Sequence, residues 1–199
     1  MQYTELGNTS IKVSKICLGS MIWGQQNTQV EAFEQMDYAL EQGVNFWDTA
    51  ELYSVPPKAE TYGATERIIG NWFTKTGRRD EVVLASKIAG PAEFVEHIRS
   101  GTTRFNHTTI ETALNQSLAR LQTDYIDLYQ IHWPAGSFGT RDVPIEETLA
   151  AMNELKEKGK IRAIGVSNFS CAQLEEATRY ARIDSLKSPY SLFWRHIEK

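Results

Sequence analysis

Two rhythms of apolar and polar positions alternate along the chain. Short runs rich in β-branched and aromatic residues, bounded by turn formers, read as strands over 15–21, 44–48, 81–87, 125–132, 162–167 and, more weakly, 184–190. Between them the apolar residues fall three and four apart. Val30, Phe33, Met36 and Leu40 form one such stripe, with Gly43 as a stop, and Ile68, Ile69, Trp72 and Phe73 form a second, with Gly77 beyond. Ile110, Ala113, Leu114, Leu118 and Leu121 form a third, opened by Thr108 with Glu111 in a capping-box pattern. Pro144 suits a first helical turn before Ile145, Leu149, Met152 and Leu155, and Gly159 follows. Ser170 with Gln173 repeats the capping signature ahead of Leu174 and Ala177.

Strict alternation of strand and helix predicts parallel strands joined by helical crossovers. Residues 1–14 stand outside that alternation and read as a hairpin around Gly7–Thr9, placed to plug the bottom of a barrel. The long connections 54–62, 90–107 and 135–143 are rich in Pro, Gly and polar residues and follow strand ends, where active-site loops belong.

Candidate chemistry sits at those same ends. Asp48 closes the second apolar run, with Tyr53 just beyond; Lys87 closes the third, His132 the fourth, and Ser167–Asn168 the fifth. Polar residues at the C-terminal ends of successive parallel strands, at near-constant intervals, fit a (β/α)8 barrel better than an open doubly wound sheet. No G-x-G-x-x-G follows the first strand, which also weighs against a dinucleotide-binding sheet of that type. An acid, a phenol, an ammonium and an imidazole together can protonate a carbonyl oxygen.

Composition narrows the class. At 199 residues and 41% hydrophobic, the chain reads as a single domain. A net charge of −4 without a Lys/Arg cluster gives no reason to expect nucleic acid. The first residues lack a secretory pattern and no apolar run has the length of a membrane span, so a soluble, cytoplasmic protein is expected. Cys17 and Cys171 have no metal-type spacing and read as packing residues, and no metal site is expected.

Several spaced stretches resemble the aldo-keto reductases, in a bacterial subgroup of that family. They are 18–24 (LGSMIWG), 46–53 (FWDTAELY), 85–87 (ASK), 130–134 (QIHWP) and 159–168 (GKIRAIGVSN). The resemblance implies an NADPH-dependent oxidoreductase that reduces an aldehyde or ketone to an alcohol, with Asp48, Tyr53, Lys87 and His132 as its catalytic tetrad. Tyr53 would be the general acid, Lys87 would lower its pKa, Asp48 would hold Lys87, and His132 would orient the carbonyl. Ser167 and Asn168 match positions that hold the nicotinamide carboxamide, and Gly19, Met21 and Lys187 complete the expected cofactor contacts. Trp23, Trp47 and Trp133 would wall the pocket for a small carbonyl substrate.

Two features set this chain apart from the family pattern. A complete barrel takes about 250 residues, and only about six of eight strand–helix units are legible, so the domain is expected to be incomplete after strand six and open at its sheet edges, where self-association is expected. Lys187 stands where the family usually carries Gln. Each tetrad residue also has a plain structural reading: a capping Asp, a surface Tyr, an exposed Lys, a hydrogen-bonded His. A non-catalytic binding or scaffold module is therefore the second reading of the chain.

Overall fold

The computed structural model describes residues 1–138 and 143–198; residues 139–142 of the predicted 135–143 connection lie outside it. Eight strands and five α-helices follow in the expected order. β1 (Tyr3–Glu5) and β2 (Lys12–Ser14) form an antiparallel hairpin. β3 (Cys17–Gly19), β4 (Phe46–Asp48), β5 (Val83–Ile88), β6 (Ile126–Ile131), β7 (Ile161–Ser167) and β8 (Ser185–Lys187) form one sheet, parallel throughout and in sequence order. The crossovers carry α1 (Gln29–Glu41), α2 (Ala64–Thr76), α3 (His107–Leu121), α4 (Ile145–Glu157) and α5 (Cys171–Ala177). The six parallel strands make a curled part-barrel, with β3 and β8 as its edges.

Period-2 alternation divides the sheet into two faces. Leu84, Ile88, Tyr129, Ile131, Ile164 and Val166 point outward and join the main core with Met36, Ile69, Trp72, Leu114 and Met152 of the helices. Ala85, Leu128 and Ala163 point inward, where Leu6, Ile11 and Val13 of the hairpin pack against them. The hairpin is tied in place by polar contacts too. Asn45 Oδ1 accepts from the Ser14 amide at 2.7 Å, and Asn45 Nδ2 donates to the Lys12 carbonyl at 3.0 Å. Gly7, at φ +56°, passes so close to the chain before β8 that a Cβ would stand 2.3 Å from the Asp184 carbonyl oxygen. Asn45 and Asp184 precede β4 and β8, so the hairpin occupies the N-terminal end of the concave face.

Helix ends follow the sequence with one correction. Ser170 and Gln173 form the expected capping box, and Thr28 with Glu31 forms another. α3 starts earlier than the Thr108–Glu111 pattern predicts: Asn106 is its cap, accepting from the Thr109 amide at 2.9 Å. Glu111 is left near Lys158 and Lys160 instead. Cys17 and Cys171, expected as packing residues, are both exposed. Cys17 lies on an edge strand and Cys171 opens α5. No helix among the described residues is long and apolar enough to cross a membrane.

A second apolar cluster lies over the C-terminal ends of the strands. It joins Ala50, Leu52 and Tyr53 after β4, Ala89, Ala92, Val95 and Ile98 after β5, and Trp133 after β6. The three connections after successive strands are thus packed against one another, and they position the candidate site.

Candidate active site

Asp48 is the last residue of β4 and points inward, because Trp47 before it points out to the helices. Lys87, two positions beyond Ala85 on β5, points inward in the same way. Its Nζ donates to Asp48 Oδ2 at 2.7 Å, to the Thr49 carbonyl at 2.7 Å and to Tyr53 Oη at 3.2 Å. The ammonium also lies 4.6 Å from the Tyr53 ring centroid. Lys87 is only 1% exposed, so its charge is held by these three oxygens and little else. Asp48, Tyr53 and Lys87 therefore form one contact group.

His132 follows β6 and packs edge-on to Tyr53, with ring centroids 5.6 Å apart and planes at 78°. Its Nδ1 is buried and has no hydrogen-bond partner among the described residues. Burial first, and the Lys87 charge next, hold its pKa well below 6.5, so the imidazole is neutral. An uncharged ring beside a phenol can donate a hydrogen bond to an incoming oxygen without adding charge to the site.

The phenol differs from expectation. Burial, with the Asp48 carboxylate acting the same way, pushes Tyr53 up to about 12, against an opposing pull from Lys187. At Asp48 burial disfavours the charge, yet Lys87 and Lys187 together outweigh it and keep the carboxyl below its ordinary range. Tyr53 is thus protonated at neutral pH, the form a proton donor needs.

The remaining expected residues divide. Asn168 sits at the end of β7 in the left-handed region, φ 62°, a conformation Asn tolerates better than most. Its Nδ2 donates to the His132 carbonyl at 3.0 Å and to Ser167 Oγ at 3.1 Å. Ser167 and Asn168 therefore stand next to His132 at the strand ends. Gly19 ends β3, paired with Asp48, and Met21 is 46% exposed beyond it. Trp133 is at the mouth, its ring 5.0 Å from that of His132 and 5.7 Å from that of Phe94.

Trp47 and Trp23 are not at the mouth. Trp47 packs edge-on to Trp72, centroids 5.1 Å apart, and stacks on Phe73 in the helix layer. Trp23 is 1% exposed, with its indole donating to Gln35 of α1 at 2.8 Å. Both belong to the main core, so neither walls a substrate pocket in this arrangement.

Two groups were missed from the sequence. Gln130 Nε2 reaches Asp48 Oδ1 at 3.3 Å, its inward aim signalled by the two-residue step from His132 and Leu128. Gly165 on the neighbouring strand leaves it room, since a Cβ there would meet Gln130 Cγ at 2.9 Å. Glu51, fully buried behind the site, accepts from the Ala89 amide at 2.6 Å and from Arg99. An acidic residue inside an otherwise apolar Ala50–Tyr53 stretch was the available signal. No cluster of His, Cys, Asp and Glu among the described residues is arranged to hold a metal.

The described residues thus form a parallel part-barrel with an acid, a lysine, a phenol and an imidazole at its strand outlets. The pattern of the Aldo/keto reductase family matches residues 15–199, and the chain belongs to that family. Protein tas of Escherichia coli (strain K12) is 40% identical over the whole chain, which covers 62% of that protein's length. Aldo-keto reductase yakc [NADP(+)] of Schizosaccharomyces pombe is 34% identical, across 82% of this chain and 44% of its own. A crystal structure of the thermostable aldo-keto reductase Tm1743 with the inhibitor epalrestat superposes at a TM-score of 0.73, with 33% identity over 96% of this chain and 63% of that one. The chain thus spans about three-fifths of the length of relatives such as Protein tas.

Proposed function

We propose that this chain carries the proton-transfer site of an NADPH-dependent carbonyl reductase, with Tyr53 as general acid. The observation that carries the reading is the Asp48–Lys87–Tyr53 contact group with the neutral His132 ring packed beside it. A carbonyl oxygen placed between Tyr53 Oη and the imidazole would accept a hydrogen bond from each. As negative charge grows on that oxygen, the Tyr53 O–H bond breaks and a new O–H bond forms on the substrate. The Lys87 ammonium then stabilises the phenolate left behind, and Asp48 holds Lys87 at the required distance. The nicotinamide, when bound, supplies the hydride to the carbonyl carbon.

The strand-end residues fit such a cofactor. The Ser167 hydroxyl and Asn168 side-chain carbonyl stand beside His132, where a carboxamide would bring its nitrogen and oxygen. Gly19 and Met21 flank the other side of the concave face, on the edge strand. Yakc carries NADP(+) in its name, which supports the same choice of cofactor. Trp133, with Phe94 and Phe138 around it, offers an apolar wall to a small aldehyde or ketone.

NADPH titrated into the chain should quench fluorescence from its five tryptophans in a saturable way. A panel of aldehydes should then drive oxidation of the bound cofactor. Saturable binding without any carbonyl-dependent oxidation would overturn the reductase reading and favour a binding module.

A further inference from the structure

The concave face holds a second lysine whose charge the reaction above does not use. Lys187 ends β8, four strands away from β4 in the sheet, yet its ammonium reaches across the curl to Asp48 Oδ2, the same oxygen that Lys87 contacts. The backbone of Lys187 is fixed by register: it pairs with Ser167, and its carbonyl accepts from the Asn168 amide at 2.9 Å. Its side chain lines a cavity with Asp48, Gln130, Cys17 and Gly19, and is 48% exposed.

The charges around Tyr53 can be taken element by element. Asp48 comes from β4, Lys87 from β5, the neutral His132 from the end of β6, and Lys187 from β8. The formal charges of Asp48 and Lys87 sum to zero. Lys187 tips the group to a net positive charge.

We propose that Lys187 is a positioning residue of the proton-transfer site: by bonding to Asp48 from the opposite side of the curl, it adds the positive charge that sets how tightly Tyr53 holds its proton. The assignment rests on the reductase reading for its use in catalysis, but not for its physical content. A positive charge nearby favours the phenolate. With Lys187 present the phenol gives up its proton more readily, and Asp48 keeps a partner as charge shifts within the group. At Tyr53 the Lys187 charge pulls against burial and the Asp48 carboxylate.

The test needs neither cofactor nor substrate, so its failure is distinct from failure of the reductase reading. A difluorotyrosine at position 53, a stronger acid than tyrosine, is titrated by fluorine NMR in the otherwise unchanged chain and in Lys187→Gln and Lys187→Arg. Half-exposed Lys187 can be replaced without disturbing the core. Lys187→Gln is expected to raise the titration midpoint by on the order of one pH unit, while Lys187→Arg keeps it near the starting value. The same midpoint in all three would overturn the proposal. So would equal shifts in both variants, since that would trace the effect to side-chain shape and not to charge.

Discussion

Asp48 shows how much depends on one carboxylate. Its two oxygens face the buried Lys87 and Gln130 and the half-exposed Lys187. A buried charge without partners is costly, so the carboxylate and the Lys87 ammonium each make the other tolerable. His132 solves the same problem differently, by staying neutral. Because its folded pKa lies well below 6.5, the unfolded chain takes up a proton near that pH and the folded chain does not. Stability should therefore fall as pH drops below about 6.5, by up to ~1.4 kcal/mol per pH unit, and be unaffected by this group above it. Urea unfolding at a series of pH values should show a shallower acid loss for His132→Gln than for the parent. Identical slopes would mean that the imidazole is already protonated in the folded chain.

Among the elements, the connections after β4 and β5 hold the site together. Glu51 and Arg99 join them: Arg99 donates to Glu51, to the Ala89 carbonyl at 3.1 Å and to the Thr102 carbonyl at 3.0 Å. Their side chains are 0% and 4% exposed, so loss of one partner strands a buried charge. Arg99→Met should destabilise the chain by about 3–5 kcal/mol. The double variant Glu51→Gln/Arg99→Met should cost less than the two single changes added together. Strict additivity in that cycle would show that the pair is not coupled. Neither residue stood out in the sequence, since an Arg in a polar loop and a Glu in a short apolar stretch reveal their pairing only once the loops fold back. Elements were easier to read than their faces. Three-and-four spacing located α1 to α5, but the three-residue β4 is too short to fix its phase, so Trp47 was assigned to the pocket when Asp48 beside it already occupied the inward position. Asn106 displaced Thr108 as the cap of α3 because its side-chain oxygen reaches the Thr109 amide first.

For the molecule as a whole, the barrel type was legible because six apolar runs alternate with helical stripes, and four successive runs end in polar residues at near-constant intervals. Asp48, Tyr53 and Lys87 could be brought together from that pattern alone, since neighbouring parallel strands place their outlets side by side. Contacts across the curl could not. Lys187 on Asp48 and the hairpin against Ala85, Leu128 and Ala163 depend on how far the sheet bends, which no local pattern records. The same bend sets the geometry around the proton donor proposed for this chain. Steady-state reduction of an aldehyde by NADPH, compared between the parent chain and Tyr53→Phe, tests that proposal most directly. Turnover should fall by about 100-fold or more, the scale of a positioned general acid, with cofactor binding retained. Equal turnover in the two proteins would contradict the assignment of Tyr53 and, with it, the account of the site.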